Sequence, residues 1–561
     1  MEECKEYVYS EKYFDIIAEY TSVELPLGVE YYCPQSVSDR YSVAYVDLET
    51  APEITVRDYS YSAIPNLYGL MDINAIDATN VERLSKFPGL ELKGENVIVG
   101  FVDTGIDIFE KVFINQGNQT RILSIWDQQN QNGKPPLGFD FGTELNRSEI
   151  NQIIKSGDQY QGDLNGHGTA MAAIACGNEV GEEGFSGVAN QSDIVVVKLK
   201  EAKNNLKEYY LVEESVEAYG ENDIMLGISY LLSVAKRERK PIVIVLGLGT
   251  SMGDHNGGAP LPQYLNDISN RIGVCVVVCA GNEGAYRLHY EGVVTGNEAT
   301  DVELRVGVDE PGFTLEIWGE TPDILSVGFV SPLGEVVERI PARVGVSERV
   351  TFLLEQTEIF VEYKLVESAS GEELIFLKIK NPTEGIWTVR VFGNNVLGGR
   401  FNAWLQLKQF MTGDNFFLQS VPDITITEPG NAQNVITVAA YNDENNAILL
   451  ESGRGYTVDE IVKPELAAPG VNIRVPGVGV FSEGYISANG TSIAAAIVAG
   501  ICALYLEWGI VRENDIYIRT AYIKSYLIRG AIRITNINYP NRQSGFGYVD
   551  AFNSFTILVT S

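Results

Sequence analysis

The sequence has few basic residues for its length and no long uninterrupted hydrophobic stretch. Its 561 residues include 41 lysines and arginines against 75 aspartates and glutamates, giving a formal net charge of -34. Because phosphate binding requires a basic surface, this balance argues against nucleic acid as a partner. No run reaches the roughly 18 apolar residues that indicate a membrane-spanning helix, so we expect no membrane span.

The amino terminus also lacks the features of a secretory signal. Residues 1–20 carry charges throughout, and no basic region is followed by an apolar core and a small-residue cleavage site. We therefore expect a soluble protein without conventional export. Because 45% of the residues are hydrophobic and 21% are charged, the chain can bury a large core and can form more than one domain.

Cysteine and histidine are both scarce, and neither is spaced as in a zinc site. The six cysteines are Cys4, Cys33, Cys176, Cys275, Cys279 and Cys502. Their low number in a long chain favours reduced, buried thiols over a disulfide framework. We predict no metal site and no required cofactor, although acidic loops leave calcium binding open. His289, one of three histidines, is predicted to be a hydrogen-bonded loop or core residue.

Three separated segments contain the residue types that hydrolysis by a serine nucleophile requires. Asp103 ends the apolar segment VIVGFVD, His167 lies in NGHGTA, and Ser492 lies in NGTSIA. A serine hydroxyl is a weak nucleophile, so it needs an imidazole to accept its proton and a carboxylate to orient that imidazole. Each residue alone could be a turn or a helix cap. Their joint occurrence in glycine-flanked segments predicts a catalytic triad.

The pattern around these segments indicates the fold. Short apolar strands alternate with helical segments between residues 97 and 279, and helical patterns return after residue 491. This alternation predicts an α/β fold with a parallel sheet covered by helices. Asn282 follows an apolar strand, where its side-chain amide could donate to the oxyanion of a tetrahedral intermediate.

The motifs resemble those of the subtilisin-like serine proteases, which share the chain order Asp, His, Ser. The resemblance covers roughly residues 66–285 and 430–552. It implies that Asp103 orients the general base His167 and that Ser492 is the nucleophile. It further implies that Asn282 is the oxyanion donor. The matching segments are Asp103-Thr104-Gly105, His167-Gly168-Thr169, Ala280-Gly281-Asn282 and Gly490-Thr491-Ser492.

The same resemblance implies how a substrate is bound. Leu248 and Gly249 match the edge strand that pairs with the substrate backbone in this family. The residue before them is Gly247, where the family usually has a small residue with a hydroxyl group. We therefore expect the substrate cleft to run along this strand and to differ from that of the family at Gly247, next to the catalytic residues.

The remaining segments predict two further domains. Residues 1–65 contain strand-like pieces and one helical stretch, and the resemblance implies an α+β prodomain bound at the active site as an inhibitor. Residues 286–429 contain eight strand segments of period two, which predict an inserted all-β sandwich of jelly-roll type. The catalytic domain would then comprise residues 66–285 and 430–561. We expect the sandwich to clamp the prodomain to it.

Several features resemble more narrowly the clostridial-type proteases of spore germination, the Csp group. They are the missing signal, the β insertion, the HGTA form of the histidine motif and the segments IWDQ and FGTELNRSEIN. The resemblance implies a protein substrate, the precursor of a spore-cortex lytic hydrolase, and a location in the cortex or coat region of the spore. Without it, a cytoplasmic location is expected.

Self-cleavage is expected between Tyr59 and Asn74, where the composition changes and Tyr68-Gly69 resembles the start of mature subtilisins. Two other functions stay open. A pseudoprotease would bind or signal without turnover, and an intracellular subtilisin of general protein turnover would share the missing signal. Labelling of Ser492 by a fluorophosphonate and cleavage of casein distinguish these alternatives.

Overall fold

The computed structural model describes the chain except for residues 1, 20–28, 72, 75–91, 181–183, 297, 346, 395, 479–483 and 561. Its first elements form a small antiparallel sheet in the order β1, β3, β2 with one helix. These elements are α1 (Glu2–Tyr9), β1 (Tyr13–Glu19), β2 (Tyr32–Ser36) and β3 (Tyr41–Asp47).

The cysteine prediction is right for four residues and wrong for two. Cys4 of α1 and Cys33 of β2 form a disulfide, with their Cα atoms 5.5 Å apart. The helix and strand bring together two thiols that are 29 residues apart in sequence, which no spacing rule indicates. The other four cysteines are buried free thiols.

The first part of the α/β unit follows. Its strands are β4 (Leu67–Leu70), β5 (Ile73–Asn74), β6 (Ile98–Asp103), β7 (Ile122–Asp127), β8 (Thr143–Asn146), β9 (Asp193–Lys198), β10 (Tyr219–Gly220), β11 (Ile242–Leu246), β12 (Leu248–Gly249) and β13 (Val274–Cys279). Its helices are α2 (Arg147–Ser156), α3 (His167–Cys176), α4 (Asn204–Tyr209), α5 (Glu221–Glu238) and α6 (Pro260–Ser269).

Eleven strands of the described chain then form an inserted β unit. They are β14 (His289–Val293), β15 (Ala299–Val306), β16 (Gly312–Gly319), β17 (Ile324–Val330), β18 (Val336–Ile340), β19 (Ser347–Thr351), β20 (Glu358–Lys364), β21 (Glu373–Lys380), β22 (Gly385–Asn394), β23 (Arg400–Leu405) and β24 (Phe416–Phe417). Two antiparallel sheets have the orders β14-β23-β16-β21-β20-β19 and β18-β17-β22-β15-β24. Their buried apolar side chains form one cluster, and each of the eight predicted segments overlaps a strand.

The chain returns to the α/β unit after residue 430. The remaining elements are β25 (Ile436–Asn442), β26 (Ala447–Ile448), β27 (Leu466–Pro469), β28 (Ile473–Pro476), β29 (Tyr485–Asn489), α7 (Thr491–Leu506), α8 (Thr520–Gly530) and α9 (Ala551–Thr560). The central sheet has the order β26-β25-β13-β11-β6-β9-β7-β8, with β27 beside β25. Its middle strands are parallel and buried, as parallel strands covered by helices should be. The predicted α/β class is confirmed.

Helix α7 is the most apolar of the long helices in the described part of the chain. The stretch Thr491–Val511 is long and apolar enough to cross a membrane, with a mean hydropathy of 1.9. However, 89% of its 18-residue apolar window is buried inside the protein. There α7 packs between α3 and the sheet strands β11, β13 and β25. Its hydrophobicity is that of a core helix.

The N-terminal segment, residues 2–61, contacts both other units through buried polar groups. Lys203 of the α/β unit donates to Asp15 Oδ1 at 2.6 Å and to the carbonyl oxygen of Tyr7 at 2.7 Å. After the sheet, the Tyr61 hydroxyl donates to Glu316 Oε1 of the inserted unit at 2.7 Å. A buried polar group is tolerated only when it is hydrogen-bonded, so these contacts fix how the parts fit together.

Candidate active site

Asp103 and His167 meet at the carboxyl end of the central sheet. Asp103 is the last residue of β6, and His167 is the first residue of α3. His167 Nδ1 lies 2.7 Å from Asp103 Oδ1, and both side chains are almost fully buried. The same carboxylate oxygen accepts the backbone N–H of Thr104 at 2.8 Å. The carboxylate is thereby held in position to orient the imidazole ring.

The start of helix α3 is fixed by a second carboxylate. Asp163 Oδ1 accepts the N–H of Gly166 at 2.8 Å, and Oδ2 accepts the N–H of Thr169 at 2.9 Å. These contacts satisfy amide groups that have no partner within the helix itself. His167, which lies between the two amides, is held by its backbone as well as by its ring.

Ser492 and Asn282 are linked through Thr491. Thr491 begins α7, and its N–H and hydroxyl donate to Asn282 Oδ1 at 3.1 and 3.0 Å. This fixes the side-chain oxygen of Asn282 and leaves its Nδ2 as the donor. Asn282 Nδ2 and Ser492 Oγ are both buried and have no hydrogen-bond partner among the described residues.

Gly247 is the point where the histidine and the serine approach each other. A β-carbon on Gly247 would lie 2.7 Å from His167 Cε1 and 3.0 Å from Ser492 Cβ, and it would collide with Met171 Sδ. The general base and the nucleophile predicted from sequence are therefore neighbours. Met171 fills the space that a side chain at position 247 would need.

The strand β4 lies in the cleft next to these residues. Its residues pair antiparallel with two short strands of the α/β unit, so that Leu70 lies opposite Leu248 and Gly69 opposite Gly249. On its other edge, Tyr68 lies opposite Tyr219 of β10. The chain's own segment thus occupies the place that the sequence analysis assigned to a substrate backbone, along Leu248 and Gly249.

Met71 continues this strand into the catalytic centre. Its N–H donates to the carbonyl oxygen of Gly247 at 2.9 Å, and its own carbonyl oxygen accepts the N–H of Ser492 at 3.4 Å. Ser492 N–H points outward from the first turn of α7, where the helix dipole favours negative charge. The carbonyl of Met71 therefore lies where a scissile carbonyl would lie, beside the serine.

Sequence reasoning missed the far end of this cleft. Glu221, at the start of α5, accepts the N–H of Asn66 at 3.1 Å and donates its own N–H to the Asn66 carbonyl at 3.0 Å. It also accepts the N–H of Leu261 at 2.8 Å. Burial raises the pKa of Glu221 to about 7. The sequence signal for this contact was the dipeptide Tyr219-Gly220 directly before helix α5. Two residues form no recognisable strand pattern, so the contact was not predicted.

Thr427 was also missed, although it lies inside the cleft. A β-carbon on Gly249 would lie 2.9 Å from Thr427 Cβ, and one on Gly281 would lie 3.0 Å from it. Thr427 Oγ1 is buried and has no hydrogen-bond partner in the described part of the chain. This residue lies after β24, the last strand of the inserted unit, so its place between the two glycines depends on how the insertion folds.

The other two histidines lie on a tryptophan outside the catalytic centre. His289 Nδ1 lies 2.7 Å from the Asp423 carbonyl oxygen, and its ring stacks on Trp404 at 4.8 Å. The ring of His255 also stacks on Trp404, with the ring centroids 4.0 Å apart. Burial lowers the pKa of His289 to about 4 and that of His255 to about 3. The prediction of His289 as a hydrogen-bonded core residue is confirmed.

One group of side chains among the described residues has metal-ligand spacing. It consists of Cys4, Cys33 and Asp140. The two cysteines are joined as a disulfide, and a metal prefers thiolates that are deprotonated and free to bind. The group therefore does not fit a metal, and calcium binding stays a prediction.

Comparisons with known proteins identify the family and the fold. The sequence model of the subtilase family matches residues 94–331 and 379–549. The solved structure of the CspB protease of Clostridium perfringens is similar over 85% of this chain and 97% of that protein, with 32% sequence identity and a TM-score of 0.75.

Curated relatives match over shorter regions. Serine protease AprX of Bacillus subtilis (strain 168) is 39% identical over 100 residues, which are 15% of this chain and 23% of AprX. Subtilisin-like protease SBT6.1 of Arabidopsis thaliana is 31% identical over 141 residues, 24% of this chain and 13% of that protein. The chain thus spans less than a quarter of each of these relatives. Since the family model matches more than half of its residues, the chain belongs to the subtilase family.

Proposed function

We propose that this protein is a serine endopeptidase that cuts its own chain between Met71 and Asp72 and then activates another protein by limited cleavage. One observation carries the proposal. The Met71 carbonyl oxygen accepts the N–H of Ser492 while the preceding residues pair with both edges of the cleft. Such a bound geometry converts a reaction between two chains into one within a single chain.

The chemistry follows from the contacts around Met71. Ser492 Oγ attacks the Met71 carbonyl carbon while His167, oriented by Asp103, accepts the hydroxyl proton. The oxygen that becomes negative is held by Ser492 N–H and by Asn282 Nδ2. When the bond to Asp72 breaks, His167 gives its proton to the leaving nitrogen, and water then releases Met71 from the serine ester.

This cut lies within the window that the sequence predicts. It falls inside residues 59–74 and six residues after the expected end of the prodomain at residue 65. Tyr68-Gly69, which suggested the start of the mature chain, lies on the N-terminal side of the bond in the cleft-bound strand. Those two residues therefore belong to the inhibitor part, and the mature chain begins at Asp72.

The released segment stays in place after the cut. Its strand is paired on both edges, and the N-terminal sheet before it is held by the buried Lys203–Asp15 pair. Breaking one partner of such a buried pair leaves an uncompensated charge, which is costly. The prodomain would thus act as a product-bound inhibitor, and another substrate must displace it.

The physiological substrate is inferred from similarity. The 32% identity to the CspB protease of Clostridium perfringens extends over most of both chains, and the sequence resembles the germination proteases in its insertion and local segments. We therefore place the protein in the spore and assign as substrate a precursor of a spore-cortex lytic hydrolase. The inserted unit is assigned to the jelly-roll type of that group.

The test compares the purified full-length wild type with Ser492→Ala. Intact-mass and N-terminal analysis should find a wild-type chain beginning at Asp72 and an uncut variant. Ser525→Ala, which changes an exposed serine of α8, is the matched control and should be cut. If the wild type stays intact, or if both chains are cut, self-cleavage by Ser492 is disproved.

A second incubation tests the substrate. The wild type should convert a cortex-hydrolase precursor to one shorter product, and Ser492→Ala should leave it unchanged. Extensive digestion of casein would favour general protein turnover instead. Failure of a fluorophosphonate probe to label Ser492, with no cleavage of either protein, would favour the pseudoprotease.

A further inference from the structure

A short turn of the inserted β unit lies over the cleft-bound strand. It is the 3₁₀ turn Lys408–Phe410 after β23, here named the cleft turn. Lys408 N–H donates to Glu283 Oε2 of the α/β unit at 3.1 Å, and Gln406 Nε2 donates to the Phe410 carbonyl oxygen at 3.2 Å. Phe410 is buried. The turn is therefore fixed to both units.

The cleft turn meets the bound strand at Gly69 and Leu70. Gln409 Nε2 donates to the carbonyl oxygen of Leu70 at 3.2 Å. Along the strand edge, Gly69 pairs with Gly249 of β12. The α/β unit therefore binds the backbone of Gly69, while the cleft turn covers the face toward which a side chain at this position would point.

A side chain at position 69 would collide with the cleft turn. Its β-carbon would overlap Gln409 Nε2 and would lie 2.7 Å from Gln409 Cδ and 3.0 Å from Leu407 Cδ1. The backbone does not itself require glycine, since Gly69 is not among the residues with positive φ. The obstacles are thus the exposed Gln409 side chain, which can move aside, and the buried Leu407 side chain directly before the turn, which is less free to move. An alanine must displace the Gln409 amide and break its hydrogen bond to Leu70.

The neighbouring positions of the bound strand hold large side chains instead. Tyr68 is 0% exposed and belongs to the apolar cluster that contains Leu248, while Met71 is 1% exposed. An aromatic ring buries up to about 200 Å², which makes it a strong anchor. The cleft thus accepts bulk at the first and fourth residues before the bond to be cut, but not at the third.

We propose that Gln409 and Leu407 make the inserted unit a specificity element that selects glycine three residues before the cut. The substrates are protein segments with an apolar residue directly before the scissile bond, glycine at the third position and an aromatic residue at the fourth. This inference rests on the proposed function, because it assumes that residues 66–71 bind as a substrate does.

Self-cleavage of the full chain tests the selection. Gly69→Ala should slow the appearance of the chain beginning at Asp72 about five-fold, since the methyl group displaces the Gln409 amide from Leu70 and crowds the buried Leu407 side chain. Gln409→Ala alone should slow it about two-fold through the lost hydrogen bond. The double variant should be cut faster than Gly69→Ala. Combining Gly69→Ala with Gln131→Ala, an exposed glutamine far along the sequence, should give no recovery.

Two results would overturn the inference: cleavage of Gly69→Ala at the wild-type rate, or a double variant no faster than Gly69→Ala alone. A readout without catalysis separates it from the proposed function. In a Ser492→Ala chain, Gly69→Ala should lower Tm by about 2 °C, and adding Gln409→Ala should reverse part of this shift. If the wild type is never cut but Gln409→Ala reverses part of the Tm loss caused by Gly69→Ala, self-cleavage is disproved while the contact between the cleft turn and position 69 is supported. If the two substitutions change Tm independently, the proposed role of the cleft turn is disproved.

Discussion

The two sides of the cleft differ in origin and in what they contact. Along both edges of the bound strand, β10 and β12 of the α/β unit pair with the backbone of residues 67–70. Over its face, Gln409 of the inserted unit contacts the strand from a position 339 residues away in sequence. Backbone pairing accepts many sequences, whereas a side chain that fills space excludes some. If the chain is cut as proposed, the α/β side supplies binding and chemistry, and the inserted side supplies selection.

The largest effect should come from the chemistry of the α/β side. Asp103→Asn removes the charge that holds His167 while keeping the shape, so self-cleavage should slow on the order of 10⁴-fold. The rate of appearance of the chain beginning at Asp72 measures this. Asp39→Asn, at an exposed aspartate, is the control. A rate near that of the wild type would remove Asp103 from the mechanism.

A smaller loss is expected for the oxyanion donor. Asn282→Ala removes the unpartnered, buried Nδ2 that is expected to donate to the oxyanion, and one such donor is worth about 10²- to 10³-fold in rate. The backbone pairing of β4 does not involve this side chain, so Tm should change little. Cleavage time courses alongside Asn132→Ala, an exposed asparagine, measure the effect. An unchanged rate would show that Ser492 N–H acts without Asn282.

The close approach at Gly247 predicts a loss that a second change can repair. Gly247→Ala should slow self-cleavage roughly 10- to 100-fold, because the added methyl group displaces His167 or Ser492. Met171→Ala removes the Sδ atom that fills this space, so the double variant should recover part of the rate. No recovery would mean that the alanine acts through the catalytic side chains alone.

The smallest effect concerns the contacts that hold the inserted side in place. Glu316 accepts hydrogen bonds from Tyr61 and Gly253, and burial raises its pKa from 4.5 to about 7. Because the folded state keeps this proton to a higher pH than the unfolded state does, stability should fall as pH rises from 4.5 to about 7. One such group contributes up to about 1.4 kcal/mol per pH unit.

Urea unfolding of the Ser492→Ala chain at several pH values measures this slope. Adding Glu316→Gln should make it shallower, and adding Glu303→Gln, at an exposed glutamate of β15, should not. An unchanged slope with Glu316→Gln would show that other buried carboxyls, such as Glu221 and Glu283, dominate the pH dependence.

The predicted strands and helices of the α/β unit differ from the observed ones by few residues. The strands Ile242–Leu246 and Val274–Cys279 are apolar runs bounded by turn residues, which is how buried parallel strands are recognised. In the inserted unit, β14, β18 and β24 were missed, and in the central sheet β7, β8 and β25 were missed. Residues 336–340 are largely exposed and carry no apolar alternation, and two residues, as in β24, show no period at all.

The candidate site was predictable to the extent that it lies in contiguous motifs. Asp103, His167, Ser492 and Asn282 each lie in a short glycine-containing segment, and the structure brings these segments together. Glu221 and Thr427 contact the cleft from segments with no recognisable pattern. Their roles depend on which backbone amides and glycines they meet, and spacing along the chain carries no such information.

The sequence by itself determined the α/β class and placed the residues of the candidate triad in recognisable motifs, and it predicts an interval for self-cleavage. Local patterns encode these features, because strand burial and motif chemistry depend on neighbouring residues. Only the tertiary structure decided that Met71 lies at Ser492, that Cys4 meets Cys33 and that Gln409 covers Gly69. These contacts join distant segments, and they form because close packing leaves each segment one place to fit.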